Sequence, residues 1–210
     1  MRQYCDGVKR IIDVVIVLGL SPIWGPLVAL LCGLVRLHGD TGFFAHTRLG
    51  RDGVPFQCWK IRTMVRDADR QLDLYLQTDA TAAKEWCMYR KLSHGRRVTR
   101  LDQLLRRLSL DELPQLWNVL RGDMALVGPR RVLRAELSEY GKHTDAYLSM
   151  RSGLTGMWQV SGAHHKGYPD RVRLDMLYFL QVSLWTDLSV LARTLPEVLR
   201  RALAQTETDA

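Results

Sequence analysis

The sequence predicts an α+β fold, mostly helical: an N-terminal re-entrant membrane helix-break-helix, one small β-hairpin and amphipathic interfacial helices. Three observations carry that expectation. An apolar run across residues 11–35 is interrupted by prolines, two β-rich runs flank an Asp-Gly turn, and apolar positions recur at helical spacing through most of the remaining chain.

Residues 11–35 read IIDVVIVLGLSPIWGPLVALLCGLV, with Asp13 the only charge, and are long enough to reach across a bilayer as one straight helix. Pro22 and Pro26 each remove a backbone donor, Ser21 can bond back to a carbonyl, and Gly25 lets the chain bend, so a break near Ser21 and Pro22 is expected. Basic residues flank both ends: Arg2, Lys9 and Arg10 before the run, Arg36, Arg48 and Arg51 after it. Such residues stay on the cytoplasmic side of a membrane. A helix that breaks and turns back keeps both sets there, whereas a single-pass anchor, the competing reading, leaves one set outside. The expected division is a re-entrant membrane anchor over residues 1–36 and a cytoplasmic domain with interfacial helices over residues 37–210. A cleaved leader is disfavoured, because no small-x-small site follows the apolar core.

FFAHTRLG, Arg51-Asp52-Gly53 and VPFQCWKIRTM read as a hairpin closed by an Asp-Gly turn. Helical patterns follow at 64–78, 82–92, 100–108, 112–121, 131–149 and 170–204. The last carries Trp185 near its start and interleaves Arg193, Arg200 and Arg201 with apolar residues. That suits a helix lying on an anionic membrane surface, and equally a helix packed on its own domain. Cys5, Cys32, Cys58 and Cys87 form no CxxC pair, which argues against zinc or a disulfide framework and suits a reducing compartment. The net charge of +8 is spread along the chain with no nucleic-acid-binding signature, so no nucleic acid is expected as a partner. An anionic lipid surface and a phosphate-rich substrate account for it.

Against this basic background SLDELPQLWNVLRGDMALVGPRR, from Ser109 to Arg131, gathers acids. Ser109 and Glu112 have the S-x-x-E spacing of a helix capping box, and Pro114 is tolerable only in a first helical turn. If Asp111 is itself the cap, its carboxylate faces the positive end of the helix and favours the ionised form, a placement that also suits a nucleophile. Asp123 reads as a turn residue and Gly128-Pro129-Arg130 as a stiff loop.

With these residues set out, the chain resembles a bacterial monotopic phosphoglycosyl transferase, of the sugar transferase family that begins exopolysaccharide and glycan assembly on undecaprenyl phosphate. The likeness runs nearly end to end, through KRIIDVVIVL with its Ser21-Pro22 break, RLGRDGVPFQCWKIRTM, SLDELPQLWNVLRGDMALVGPR, SGLTGMWQVSG and DMLYFLQVSLWTDLSVLART. SGLTGMWQVSG and SLWTDL look most similar to the subgroup that donates a hexose, often galactose, from a UDP-sugar. The resemblance implies that Asp111 attacks the β-phosphorus of the donor, releasing UMP, and that undecaprenyl phosphate then takes the phosphosugar from the enzyme. It implies a magnesium ion (Mg2+) held by Asp111 and Glu112, with Glu112 otherwise handling a proton. It also implies a place on the cytoplasmic face of the bacterial inner membrane. Lys60, Arg62, Arg106 and Arg130 are candidate phosphate clamps. Asp175 matches a family acid, and is equally a helical i, i+4 partner for Arg171. Self-association is left open.

Three positions depart from the family's pattern. Arg131 stands where Pro follows GPR, Ser152-Gly153 where Pro-Gly precedes LTG, and Gly162-Ala163 where Gly-Arg follows QVS. Losing Pro relaxes two loops, and losing Arg removes a phosphate or sugar contact that Arg131 or His164 would have to replace. The alternative reading is therefore a catalytically weak paralogue serving as a membrane assembly component of a polysaccharide machine.

Overall fold

The computed structural model describes residues 4–37, 41–63, 68–79, 81–82, 100–162 and 167–208. Helix α1 (Lys9–Gly19) gives way at Leu20 to α2 (Ser21–Leu37), and the two are bent by 62°. The break falls where the sequence places it. Pro22 occupies the first turn of α2, where its missing N–H costs nothing, and Ser21 Oγ donates to Leu18 O at 2.7 Å. Trp24 Nε1 donates to Val17 O at 3.0 Å and holds the bend from its inner side. Pro26 lies within α2 without ending it. Among the described residues no single helix is long and apolar enough to cross a membrane, while α1 and α2 together meet that length and composition.

Strands β1 (Phe43–Leu49) and β2 (Pro55–Ile61) pair antiparallel, from Phe43 opposite Ile61 to Leu49 opposite Pro55. Their connection turns through Asp52 at φ 57° and Gly53 at φ 74°, the left-handed region that an Asp-Gly pair tolerates. A helix α3 (Ala68–Thr78) follows, within the pattern expected over 64–78, and residues 64–67 and most of the expected helix at 82–92, with Cys87, lie outside the described residues. Helix α4 (Arg100–Arg107) leads through a 3-10 turn (Leu110–Glu112) into α5 (Gln115–Arg121). The helix expected from 112 thus begins three residues later, because Pro114 sits at its N-cap.

Two strands absent from the sequence reading come next. Strands β3 (Met124–Val127) and β4 (Ser152–Thr155) pair in parallel, Met124 opposite Ser152 and Val127 opposite Thr155. The segment expected as one helix over 131–149 is instead extended through Val132, then 3-10 over Arg134–His143 and α-helical only in α6 (Thr144–Leu148). Gly141, at φ 48°, breaks the run. After a short α7 (Met157–Val160), the pattern over 170–204 is two helices, α8 (Tyr168–Gln181) and α9 (Leu184–Thr208). Val182 leaves helical conformation at ψ 118°, and Ser183 Oγ caps the new start by accepting from Thr186 N at 3.2 Å.

The main core joins these elements. Val17 of α1, Phe56 and Cys58 of β2, Leu116 and Val119 of α5, Met124, Leu126 and Val127 of β3, Tyr178 of α8 and Val190 of α9 bury together. Burial of this kind is worth about 1.5–3 kcal/mol per large apolar side chain. Asn118, fully buried in α5, locks the helix to the hairpin: Nδ2 donates to Gln57 O at 2.8 Å and to Asp123 Oδ2 at 3.0 Å, and Oδ1 accepts from Trp59 N at 3.1 Å. Arg10 of α1 donates to Val119 O and Leu120 O at the C-terminal end of α5. Away from the core, Ile11, Val15 and Ile23 of the bent pair and Leu180, Trp185, Leu195 and Leu203 of α8 and α9 are exposed, Trp185 by 81%.

Candidate active site

β2 delivers Lys60, and the turn before α5 delivers Asp111 and Glu112. Ser109 enters that turn in the left-handed region at φ 55° and makes no side-chain cap. The capping box expected from Ser109 and Glu112 is therefore not formed, and Asp111 does not cap α5, whose N-cap is Pro114. The strained entry turns both acids towards β2 instead. Lys60 Nζ donates to Glu112 Oε1 at 2.7 Å and stands 3.7 Å from Asp111 Oδ2. Arg131 Nη2 donates to the same Glu112 oxygen.

The two acids are pushed in opposite directions. Burial is the larger influence on Asp111, which is 7% exposed, and with the Glu112 charge it pushes the carboxyl up against Lys60, Arg106 and Arg131. Asp111 accepts no hydrogen bond from the described residues. For Glu112 burial also opposes ionisation, but Arg131, Lys60 and Arg130 outweigh it and hold the carboxyl well below the usual carboxylate range.

The turn after β3 is built on close backbone approach. A Cβ at Gly128 would lie 2.5 Å from Arg151 O, and one at Gly156 would lie 2.1 Å from Gly128 O, so glycine is required at both. Gly128 N donates to Thr155 O at 3.0 Å and Gly153 N to Pro129 O at 2.9 Å. Arg130 is held through its backbone: its N donates to Asp175 Oδ1 at 3.4 Å, and its O accepts from Arg171 Nη2 at 3.1 Å and Tyr147 Oη at 3.3 Å. Its guanidinium makes no hydrogen bond with the described residues, and burial beside Arg131 and Arg171 pushes it down to about 10. A cation this crowded gains from an anion.

The sequence candidates thus divide. Asp111, Glu112 and Lys60 meet, with Arg130 close enough to act on Glu112. Arg106 acts on Asp111 from α4, and its Nε donates to Thr63 Oγ1 at 2.8 Å. Arg62 is turned elsewhere, its guanidinium 5.4 Å from the centroid of the Phe44 ring. Asp175 lies behind the turn, where Oδ2 accepts from Tyr140 Oη at 2.6 Å and lies 4.0 Å from Arg171 Nε. It is the i, i+4 partner of Arg171 and also accepts from the Arg130 backbone. Asp123 serves Asn118 and an ion pair with Arg121 at 3.4 Å. Arg131 was visible only as a departure from a pattern. Thr63 and Tyr140 gave no signal, because their roles depend on partners at least 35 residues away, and Arg171 was legible only as a neighbour of Asp175, not in its bond to Arg130 O, 41 residues away. Ala163 and His164 lie outside the described residues.

A divalent cation can be tested against this donor set. Among the described residues no three acidic, histidine or cysteine side chains converge, so no all-protein cage is present. Two adjacent carboxylates remain, with Glu112 Oε2 and the Asp111 oxygens free of hydrogen bonds. They fit magnesium, which takes one or two carboxylates and fills its sphere with waters and phosphate.

The sequence profile described as bacterial sugar transferase matches residues 4–201. The UDP-galactose-lipid carrier transferase of Erwinia amylovora is 42% identical over 193 residues, covering 92% of this chain and 40% of its own length. The undecaprenyl-phosphate galactose phosphotransferase of Salmonella typhimurium is 41% identical over 193 residues, with coverage of 92% and 40%. The exopolysaccharide production protein ExoY of Sinorhizobium fredii is 42% identical over 191 residues, covering 90% of this chain and 84% of its own. The chain therefore spans less than half the length of the first two and most of the third.

Proposed function

The chain belongs to the bacterial sugar transferase family, and on that premise we propose that it transfers a hexose-1-phosphate, galactose or glucose, from a UDP-sugar to undecaprenyl phosphate, starting an exopolysaccharide chain. The observation that carries this reading is Asp111: a buried carboxylate beside Lys60 that accepts no hydrogen bond from the described residues.

In the first displacement a carboxylate oxygen of Asp111 bonds to the β-phosphorus of the donor, the bond from that phosphorus to the bridging oxygen breaks, and UMP leaves with the electron pair. An aspartyl-phosphosugar remains. An oxygen of undecaprenyl phosphate then attacks the same phosphorus, expels the Asp111 carboxylate and yields the diphosphate-linked lipid sugar. Splitting one displacement into two lets donor and acceptor use the site in turn. Lys60 and the unpaired guanidinium of Arg130 hold the phosphate oxygens, with Arg106 at the edge of the site. Glu112 is engaged by two cations and serves as their anchor rather than as a proton acceptor. Asp111 and Glu112 are the residues that would hold magnesium, which neutralises charge on the diphosphate when bound.

The exposed apolar residues of α1, α2, α8 and α9 support a bent anchor entering the inner membrane from the cytoplasmic face, with α9 lying along the surface. A polyprenol does not leave the bilayer cheaply, so its phosphate must be met at the headgroup level. The test is UMP release by detergent-solubilised protein, over a panel of UDP-sugars with magnesium and undecaprenyl phosphate, beside Asp111→Asn. Release with one sugar that the variant abolishes supports the reading and names the donor. No release from folded protein sinks it and leaves the assembly-component reading.

A further inference from the structure

Arg131 departs from the motif this chain resembles, and it lies inside the acid cluster rather than beside it. Its side chain is 5% exposed, and its one hydrogen bond among the described residues runs from Nη2 to Oε1 of Glu112. Nη1 is enclosed with no partner. Sequestering a guanidinium is unfavourable unless a carboxylate meets it, so Glu112 decides where Arg131 sits. The same Glu112 oxygen takes the 2.7 Å bond from Lys60, which stays 3.7 Å from Asp111. Two cations converge on one acid, and the neighbouring acid is left without a hydrogen bond from the described residues.

We propose that Arg131 is a positioning residue: by fixing the Glu112 carboxylate it holds Lys60 back from Asp111 and keeps the nucleophile out of a hydrogen-bonded salt bridge. The inference rests on the role given to Asp111 in the proposed function. Without Arg131 the Glu112 carboxylate is free to turn, and Lys60, on its flexible stem, closes the gap to Asp111. A carboxylate held in a charge-assisted hydrogen bond gives up its electron pair less readily. The loss falls on the displacement of UMP more than on donor binding, since Arg130, held through its backbone, keeps its place in the site. The turn itself does not depend on the Arg131 side chain. Its backbone is held by Arg171 Nη2 donating to Arg130 O and Arg131 O, by Tyr147 Oη donating to Arg130 O, and by Gly153 N donating to Pro129 O.

The experiment is a kinetic double-mutant cycle on the full chain in detergent. Rates of UMP release are compared for wild type, Arg131→Met, Arg131→Lys, Glu112→Gln and the Arg131→Met, Glu112→Gln double variant, each checked first for an unchanged thermal transition. Arg131→Met is expected to lower kcat about 10- to 100-fold, the scale of a misplaced catalytic group, with the donor KM within about threefold. Arg131→Lys recovers part of the rate, and Arg131→Met costs nothing further once Glu112 is glutamine. Losses that multiply in the double variant, an effect confined to KM, or wild-type turnover by Arg131→Met would each overturn the inference. Should Arg131→Met fail to fold, Arg131→Gln takes its place in the cycle with the same outcomes. Wild-type protein that releases no UMP defeats the proposed function instead, whereas normal wild-type turnover with an indifferent Arg131 defeats only the positioning role.

Discussion

Asp111 and Asp175 stand at two ends of one structural unit, the Gly128-Pro129-Arg130-Arg131 turn, and both are carboxylates buried among arginines. Asp111 accepts no hydrogen bond from the described residues and has Lys60 at 3.7 Å. Asp175 is 1% exposed and satisfied on both oxygens, by Tyr140 at 2.6 Å and by the Arg130 backbone at 3.4 Å, with Arg171 at 4.0 Å. Burial and neighbouring charge do not separate a reactive acid from a supporting one here. On the proposed function, contact with donors does: Asp175 accepts a hydrogen bond on each oxygen, while Asp111 accepts none from the described residues and is left open to phosphorus.

The contrast can be broken most sharply by replacing each acid in turn. Asp111→Asn should reduce UMP release by at least about a thousandfold, the scale of losing a nucleophile. Its thermal midpoint should hold or rise, because burial disfavours the charged form of Asp111 and asparagine carries no charge. Full activity in this variant would reverse the two assignments. Asp175→Ala should act the other way, costing about 3–5 kcal/mol by leaving Arg171 and Tyr140 facing an empty site. That loss is readable in the denaturation midpoint, and activity per folded molecule should fall far less than in Asp111→Asn.

Tyr140→Phe sharpens the comparison by removing one bond from the saturated acid. A hydrogen bond to a charged group is worth about 1.5–3 kcal/mol, so chemical denaturation should show a loss of that size and no change in donor KM. A comparable effect is expected in pH dependence. Burial is the main cause that carries Asp175 up to about 6, against Tyr140, Arg171 and Arg130, while an exposed aspartate titrates near 3.9, on the order of two pH units lower. Between those values the folded state binds the proton more tightly than the unfolded state, so this group's contribution to stability falls as pH rises through about 4 to 6. The wild-type stability minus that of Asp175→Asn should decline across the window. A flat difference would mean that the acid titrates alike in both states.

Legibility followed the range of the interaction. The Asp52-Gly53 turn and the Ser21-Pro22 break were readable because both are set by backbone sterics within two or three residues. The S-x-x-E spacing of Ser109 and Glu112 misled for the converse reason: Lys60 and Arg131 take the Glu112 carboxylate that a capping box would have used. Strands β3 and β4 left no trace, since four-residue strands such as MALV, buried on both faces, show no alternation. The segment over 131–149 looked helical by composition, yet Gly141 and the bridge from Val132 to Leu49 make it a wrapping turn.

The sequence by itself determined the bent apolar helix pair, the hairpin, the acid pair and the basic residues that accompany it, because each is a local consequence of residue type and spacing. Tertiary structure alone decided which acid is free and which is bound. That choice is made by Lys60, Arg131, Tyr140 and Arg171 arriving from distant elements, and a buried carboxylate takes its reactivity from the donors packed against it rather than from its neighbours in the chain.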